Sequence, residues 1–127
     1  MWAAMNTSEP TPDRMAARSG DLSKAIADLD AIVAALLTAV PQSKPWQRQL
    51  RTHLVQLERE VQVLRMTLLM SRSDAELAQA AAAANHTLRA ANTYVAAGRA
   101  EIGTKAAVRL AFELGERIDR LVDALAG

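Results

Sequence analysis

Four cations lie on one side of a single stretch of this chain: Lys44, Arg48, Arg51 and Arg59. On a helix turning about 100° per residue they fall within about 80° of one another and extend over roughly 22 Å. Guanidinium groups bind phosphate bidentately. Such a stripe could therefore follow a nucleic-acid backbone, each contact adding to the salt dependence of binding. Glu58 interrupts the stripe, and the chain has few aromatic side chains to stack on bases. A solvated face, or one that meets the acids of a partner protein, is the first reading, and nucleic acid is the alternative. A second set is acidic. Glu113, Glu116, Asp119 and Asp123 share one side of a C-terminal helix, and carboxylates at that spacing can hold Mg²⁺. Arg109, Arg117 and Arg120 are interleaved among them, so Arg109–Glu113 and Glu116–Arg120 read as surface ion pairs. Only Glu58 and Glu60 are offered by a second helix, and no metal site is expected. His53 and His86 would be staggered by roughly 7 Å on neighbouring helices, which argues against haem or a metal between them. Glycine-rich phosphate loops, serine nucleophile elbows and E-x-x-H di-iron motifs are absent, and no cofactor is implied.

The segment Arg48-Gln49-Leu50-Arg51-Thr52-His53 resembles the arginine–histidine motif of the HEPN ribonucleases, which are small helical bundles that dimerise. The resemblance covers these six residues. It departs from the family in placing Gln49 after the arginine and in lying on an early helix. It implies Arg48 positioning a phosphate and His53 moving protons, in a site completed across a dimer. Histidine is suited to that work because it titrates near neutral pH. The chain is nevertheless read as non-catalytic, with a ribonuclease using Arg48 and His53 as an alternative.

Composition narrows the classes. A chain of 127 residues suggests one domain. Half the residues are hydrophobic, yet aromatics number only two Trp, one Tyr and one Phe, so the core must be aliphatic. With no cysteine, disulfides, thiolate metal sites and cysteine nucleophiles are excluded. The net charge of +1 does not by itself imply nucleic acid. The alanine and arginine load is what a GC-rich, bacterial genome yields. The opening MWAAMNTSEPTPDR lacks a basic segment followed by an apolar run, so it is not read as a secretory signal. The longest apolar stretch contains Asp28 and Asp30 and is too short to span a membrane. A cytoplasmic protein with no membrane partner is expected.

The elements that must position these groups are helices. Residues 1–20 hold Pro10, Pro12 and Gly20 with no sustained period, and are read as a flexible N-terminal arm. Four helices are expected over about 21–39, 45–70, 74–97 and 104–126. In the first, Leu22, Ile26, Leu29, Val33, Leu36 and Val40 recur in alternating steps of four and three, one apolar stripe of helical period. Leu50, Leu54, Leu57, Val61, Leu64 and Leu68 repeat that pattern in the second. In the third the stripe is Leu77, Ala81, Ala84, Leu88, Ala91 and Val95, in which alanine permits close approach of a neighbour or leaves a cavity. Asn85 and Asn92 beside it could set register. Ser73 and Glu76 form a capping-box pattern at its start. The fourth stripe is read as Ala107, Leu110, Leu114, Ile118, Leu121 and Leu125. One stripe per helix and short links predict an all-α, up-down-up-down antiparallel four-helix bundle over residues 21–127.

Some apolar residues fall outside these stripes. Val55, Val63, Met66 and Met70 lie opposite the second helix's seam, between about 140° and 220° from Leu50. Val108 and Phe112 lie near 160° and roughly 200° from Leu110 on the fourth. A helix apolar on two faces is expected to be covered on both, and methionine is common on adaptable binding surfaces. The function expected is a protein–protein interaction module: an adaptor, assembly factor, inhibitor or immunity-type protein. Val55, Val63, Met66, Met70, Val108 and Phe112 would form its interface, with a second copy or another protein.

Overall fold

Prolines, a serine cap and a left-handed turn residue divide the chain into its helices. The computed structural model describes residues 12–126. Its elements are α1 (Pro12–Ala39), α2 (Pro45–Leu69), α3 (Asp74–Ala97) and α4 (Ile102–Ala126). Consecutive helices pack together and α4 closes against α1. Among the described residues the diagonal pairs, α1 with α3 and α2 with α4, nowhere bring Cα atoms within 8 Å. This is the up-down-up-down antiparallel four-helix bundle, because links of a few residues force each helix to run back along the one before. Asp30 of α1 shows the register: its carboxylate accepts from Gln62 at 3.1 Å and from Arg65 at 3.2 Å on α2.

The helix ends are satisfied locally and by neighbours. Pro41 cannot extend α1, and one of the carbonyls left open at its end, that of Leu37, accepts from Arg51 Nη1 of α2 at 2.8 Å. The last turn of α4 is met in the same way: Ala124 O accepts from Arg18 Nη1 of α1 at 3.2 Å. A cation at a helix C-terminus also suits the helix dipole. At the start of α2 the buried Gln47 reaches back, its Oε1 accepting from Lys44 N–H at 2.9 Å. Ser73 Oγ accepts from Glu76 N–H at 3.2 Å, giving the expected cap of α3. Glu76 does not complete the reciprocal half; its carboxylate lies 3.9 Å from Arg72 instead.

α2 ends in a Schellman motif. Ser71 N–H donates to Leu68 O at 3.1 Å and Arg72 N–H to Thr67 O at 3.2 Å. Ser71 takes the left-handed position, at φ 50°. That conformation costs an L-residue about 1–2 kcal/mol. Ser71→Gly should therefore raise stability by about 0.5–1 kcal/mol, the gain being reduced by glycine's greater freedom when unfolded. An unchanged urea midpoint would contradict this account of the turn.

The first three expected stripes are buried. Leu22, Ile26, Leu29, Val33, Leu36 and Val40 of α1, Leu50 to Leu64 of α2, and all six stripe residues of α3 lie in the core, while Leu68 packs at its margin. Two corrections apply. First, the helix assigned to start near residue 21 begins at Pro12, so residues 12–20 of the expected arm are helical. Alanine and arginine are strong helix formers, and the Arg18 contact with α4 anchors this extension. Residues 1–11 of the arm lie outside the described residues. Second, the buried stripe of α4 is Val108, Ala111, Gly115, Ile118 and Val122. Leu110 is exposed, and Ala107, Leu114, Leu121 and Leu125 lie at its margin. The helix is thus rotated from the orientation implied by its leucines.

Gly115 explains the rotation. A Cβ there would lie 2.4 Å from Leu88 Cδ1, so the Leu88 side chain sits directly over the α4 backbone. Small residues on both helices, Ala81 and Ala84 on α3 and Ala111 and Gly115 on α4, make this approach possible. The three alanines are themselves part of one core cluster with Leu88. Asn85 makes no register-setting bond: its Oδ1 is buried with no hydrogen-bond partner.

Candidate functional site

Two surfaces on α2 stand out, one at each end of the helix. Toward its C-terminus Val63, Met66, Leu69 and Met70 are between 51 and 70 % exposed. Val63, Met66 and Met70 line a groove of about 500 Å³ with Thr67, Arg72 and Glu76. The exposure of Val63, Met66 and Met70 matches their expected position opposite the Leu50–Leu64 seam. Val55 is half-buried and lines a different groove, nearer the start of the helix. Leu69, 70 % exposed, is the most open of the four, and it lines a separate groove with Ser23, Ile26 and Ala27 of α1.

The α4 half of the expected interface does not exist. Val108 is 2 % exposed and belongs to the core with Leu36, Leu50, Leu54 and Val95. Phe112 is half-buried and packs against the core cluster that contains Leu29, Leu57 and Ile118. The bundle's topology gives a second reason. α2 and α4 are diagonal partners, so their outward faces point away from each other and cannot join in one patch. The exposed apolar residues of α4 are Ile102 and Leu110. Leu110 borders a groove of about 460 Å³ with Trp46, Leu36, Val40 and Ala107, at the opposite end of the bundle from the α2 patch.

Toward the N-terminus of α2 lies a groove of about 730 Å³ between α2 and α3. Arg48, Arg51 and Arg59 line it, as do His53 and His86. The structure thus gathers three of the four stripe cations and adds both histidines; Lys44 does not line it. Val55, Thr87 and Ala90 contribute to its walls, and no carboxylate does. Arg48 Nη1 donates to the carbonyls of Gln42 and Ser43, both at 3.1 Å. Arg51 is held by the Leu37 carbonyl described above. His53 is half-buried, its Nε2 3.4 Å from Gln49 Nε2, and its ring lies 6.0 Å from that of Tyr94. No hydrogen bond or ion pair engages Arg59 or His86.

His53 and His86, expected to be staggered along neighbouring helices, both line this groove, because the side of α2 that carries the arginines adjoins α3. Neither Arg109–Glu113 nor Glu116–Arg120 forms an ion pair among the described residues, whereas Lys24–Asp28, Arg65–Asp30 and Arg72–Glu76 do. Among the described residues no three His, Asp or Glu side chains are grouped to hold a metal ion, and no helix is long and apolar enough to cross a membrane. The chain matches no protein-family model, no curated protein and no solved structure.

Proposed function

We propose that this bundle is a non-catalytic protein-binding module that works through the C-terminal half of α2, and that its first partner is a second copy of itself. The observation that carries the reading is the exposure of three large apolar side chains, Val63, Met66 and Met70, that line one groove at the end of α2. Single exposed hydrophobes are normal on a protein surface, but a contiguous group marks an interaction site. Methionine's flexible thioether adapts to whatever it meets. A two-fold axis crossing α2 between Met66 and Thr67 would set Val63 of each copy against Met70 of the other, the self-complementary arrangement that a symmetric dimer requires.

Size exclusion with light scattering tests this. A dimer has twice the 13.7 kDa chain mass. Met66→Asp with Met70→Asp should give a monomer with undiminished helicity, because both side chains stand outside the core. A wild-type chain that is monomeric at every concentration up to about 1 mM would remove self-association, since a weaker contact lies below about 4 kcal/mol.

A further inference from the structure

The groove between α2 and α3 is a concave surface lined by three arginines and two histidines and, among the described residues, by no acidic side chain. A carboxylate three or four residues away can pair with an arginine on a helix surface. Arg59 has none at those positions, which hold Val55, Gln56, Gln62 and Val63. Its neighbours in sequence, Glu58 and Glu60, do not line the groove, and no ion pair reaches it.

We propose that this groove binds phosphoryl groups, on a small polyphosphate or along a nucleotide chain. Arg48 and Arg51 are each held through Nη1 by backbone carbonyls. A guanidinium has five N–H donors, so the Nε and Nη2 edge of each stays available for bidentate contact with oxyanions. Because protein bonds already hold these two side chains, little rotamer freedom is lost when an anion arrives. Arg59, two to three helical turns further along α2, and His86, across the groove on α3, complete the ring of donors. A single carboxylate would satisfy one guanidinium. Three guanidiniums and two imidazoles suit a ligand with several charges and acceptor oxygens in several directions, which phosphoryl groups supply. Val55 and Ala90 give the groove an apolar wall, and its volume falls in the range of small-molecule sites. The proposal does not depend on the apolar patch of α2, which lines a separate groove.

Titration calorimetry at low ionic strength tests it, with inorganic tripolyphosphate as one probe and a short single-stranded oligoribonucleotide as the other. At least one probe should bind the wild-type chain. Arg59→Glu should weaken that binding about tenfold or more, the loss of a charge-assisted bond or two. Arg59→Gln should give a smaller loss in the same direction. Arg59 is exposed and unpaired, so both variants should keep the wild-type circular dichroism. Arg109→Glu makes the same charge change on α4, away from the groove, and should alter affinity less than about twofold. Tripolyphosphate binding that equals or exceeds the oligonucleotide's assigns the site to small polyphosphates. Tighter oligonucleotide binding with a steep salt slope assigns it to a nucleotide chain. Failure of both probes to bind, or equal weakening by Arg59→Glu and Arg109→Glu, would overturn the site.

Discussion

Gly115→Val is expected to destabilise the bundle by about 3 kcal/mol or more, a large part of the roughly 5–15 kcal/mol that holds a domain of this size together. The cause is local. The first added carbon would lie 2.4 Å from Leu88 Cδ1, inside any van der Waals contact. Leu88 is 1 % exposed, so any new position for its side chain has to be found within the core. The space also lies beside Asn85 Oδ1, 3.4 Å from the same point. Valine adds two further methyl groups to that crowding. The sharper experiment is a double-mutant cycle. Helix propensity alone favours alanine over glycine by about 1 kcal/mol, whereas overpacking costs about 1–3 kcal/mol. Gly115→Ala should therefore be neutral to destabilising in the wild-type chain. In a Leu88→Ala background the obstruction is gone, and the same change should stabilise by up to about 1 kcal/mol. Leu88→Ala alone should cost about 2–5 kcal/mol, since it opens the core between α3 and α4. Urea denaturation of the four proteins reads the coupling directly. Additive effects would mean that α3 and α4 do not meet at this pair.

Val108→Asp should unfold the protein or leave it barely stable, while Leu110→Asp should be nearly silent. The two residues are a turn fraction apart on α4, and the structure reverses their expected roles. Val108 is 2 % exposed among Leu36, Leu50, Leu54 and Val95. A carboxylate among these aliphatic side chains would be taken out of water, at a cost of several kcal/mol. Leu110 is 51 % exposed, and an aspartate there keeps most of its water. Thermal melts by circular dichroism distinguish the outcomes. If Leu110→Asp were the damaging change, α4 would be turned as its leucines alone suggest, and the Gly115 contact would be absent.

The stripes of α1 and α2 could be read from sequence because in each of them size and periodicity agree, and that of α3 because Leu77, Leu88 and Val95 hold the period through its alanines. Leu50, Leu54, Leu57, Val61 and Leu64 are at once bulky apolar residues on one helical period and the most buried of their helix. In α4 these two signals diverge. Leu110, Leu114 and Leu121 mark one line, and Val108, Ala111, Gly115, Ile118 and Val122 another, about a quarter-turn away. A pattern weighted by side-chain bulk selects the leucines. The helix turns the other way because its closest neighbour, α3, offers Leu88 to a glycine, and a protruding side chain packs best where the facing helix has none. The same divergence misplaced Val108 and Phe112 in an interface and left Leu110 inside.

The sequence by itself determined the number of helices, most of their limits, the aliphatic core of the first three, and the outward position of Val63, Met66 and Met70. Those properties follow from local rules: proline and serine at helix ends, and a period that sorts residues by face. The tertiary structure alone decided three others. It set the rotation of α4, which depends on interlocking with α3. It extended α1 back to Pro12, where Arg18 meets the open carbonyl of Ala124. It also brought His53 and His86 to the same groove as Arg48, Arg51 and Arg59. Each of these joins residues far apart in the chain, and no helical period carries information about which side of one helix will face another.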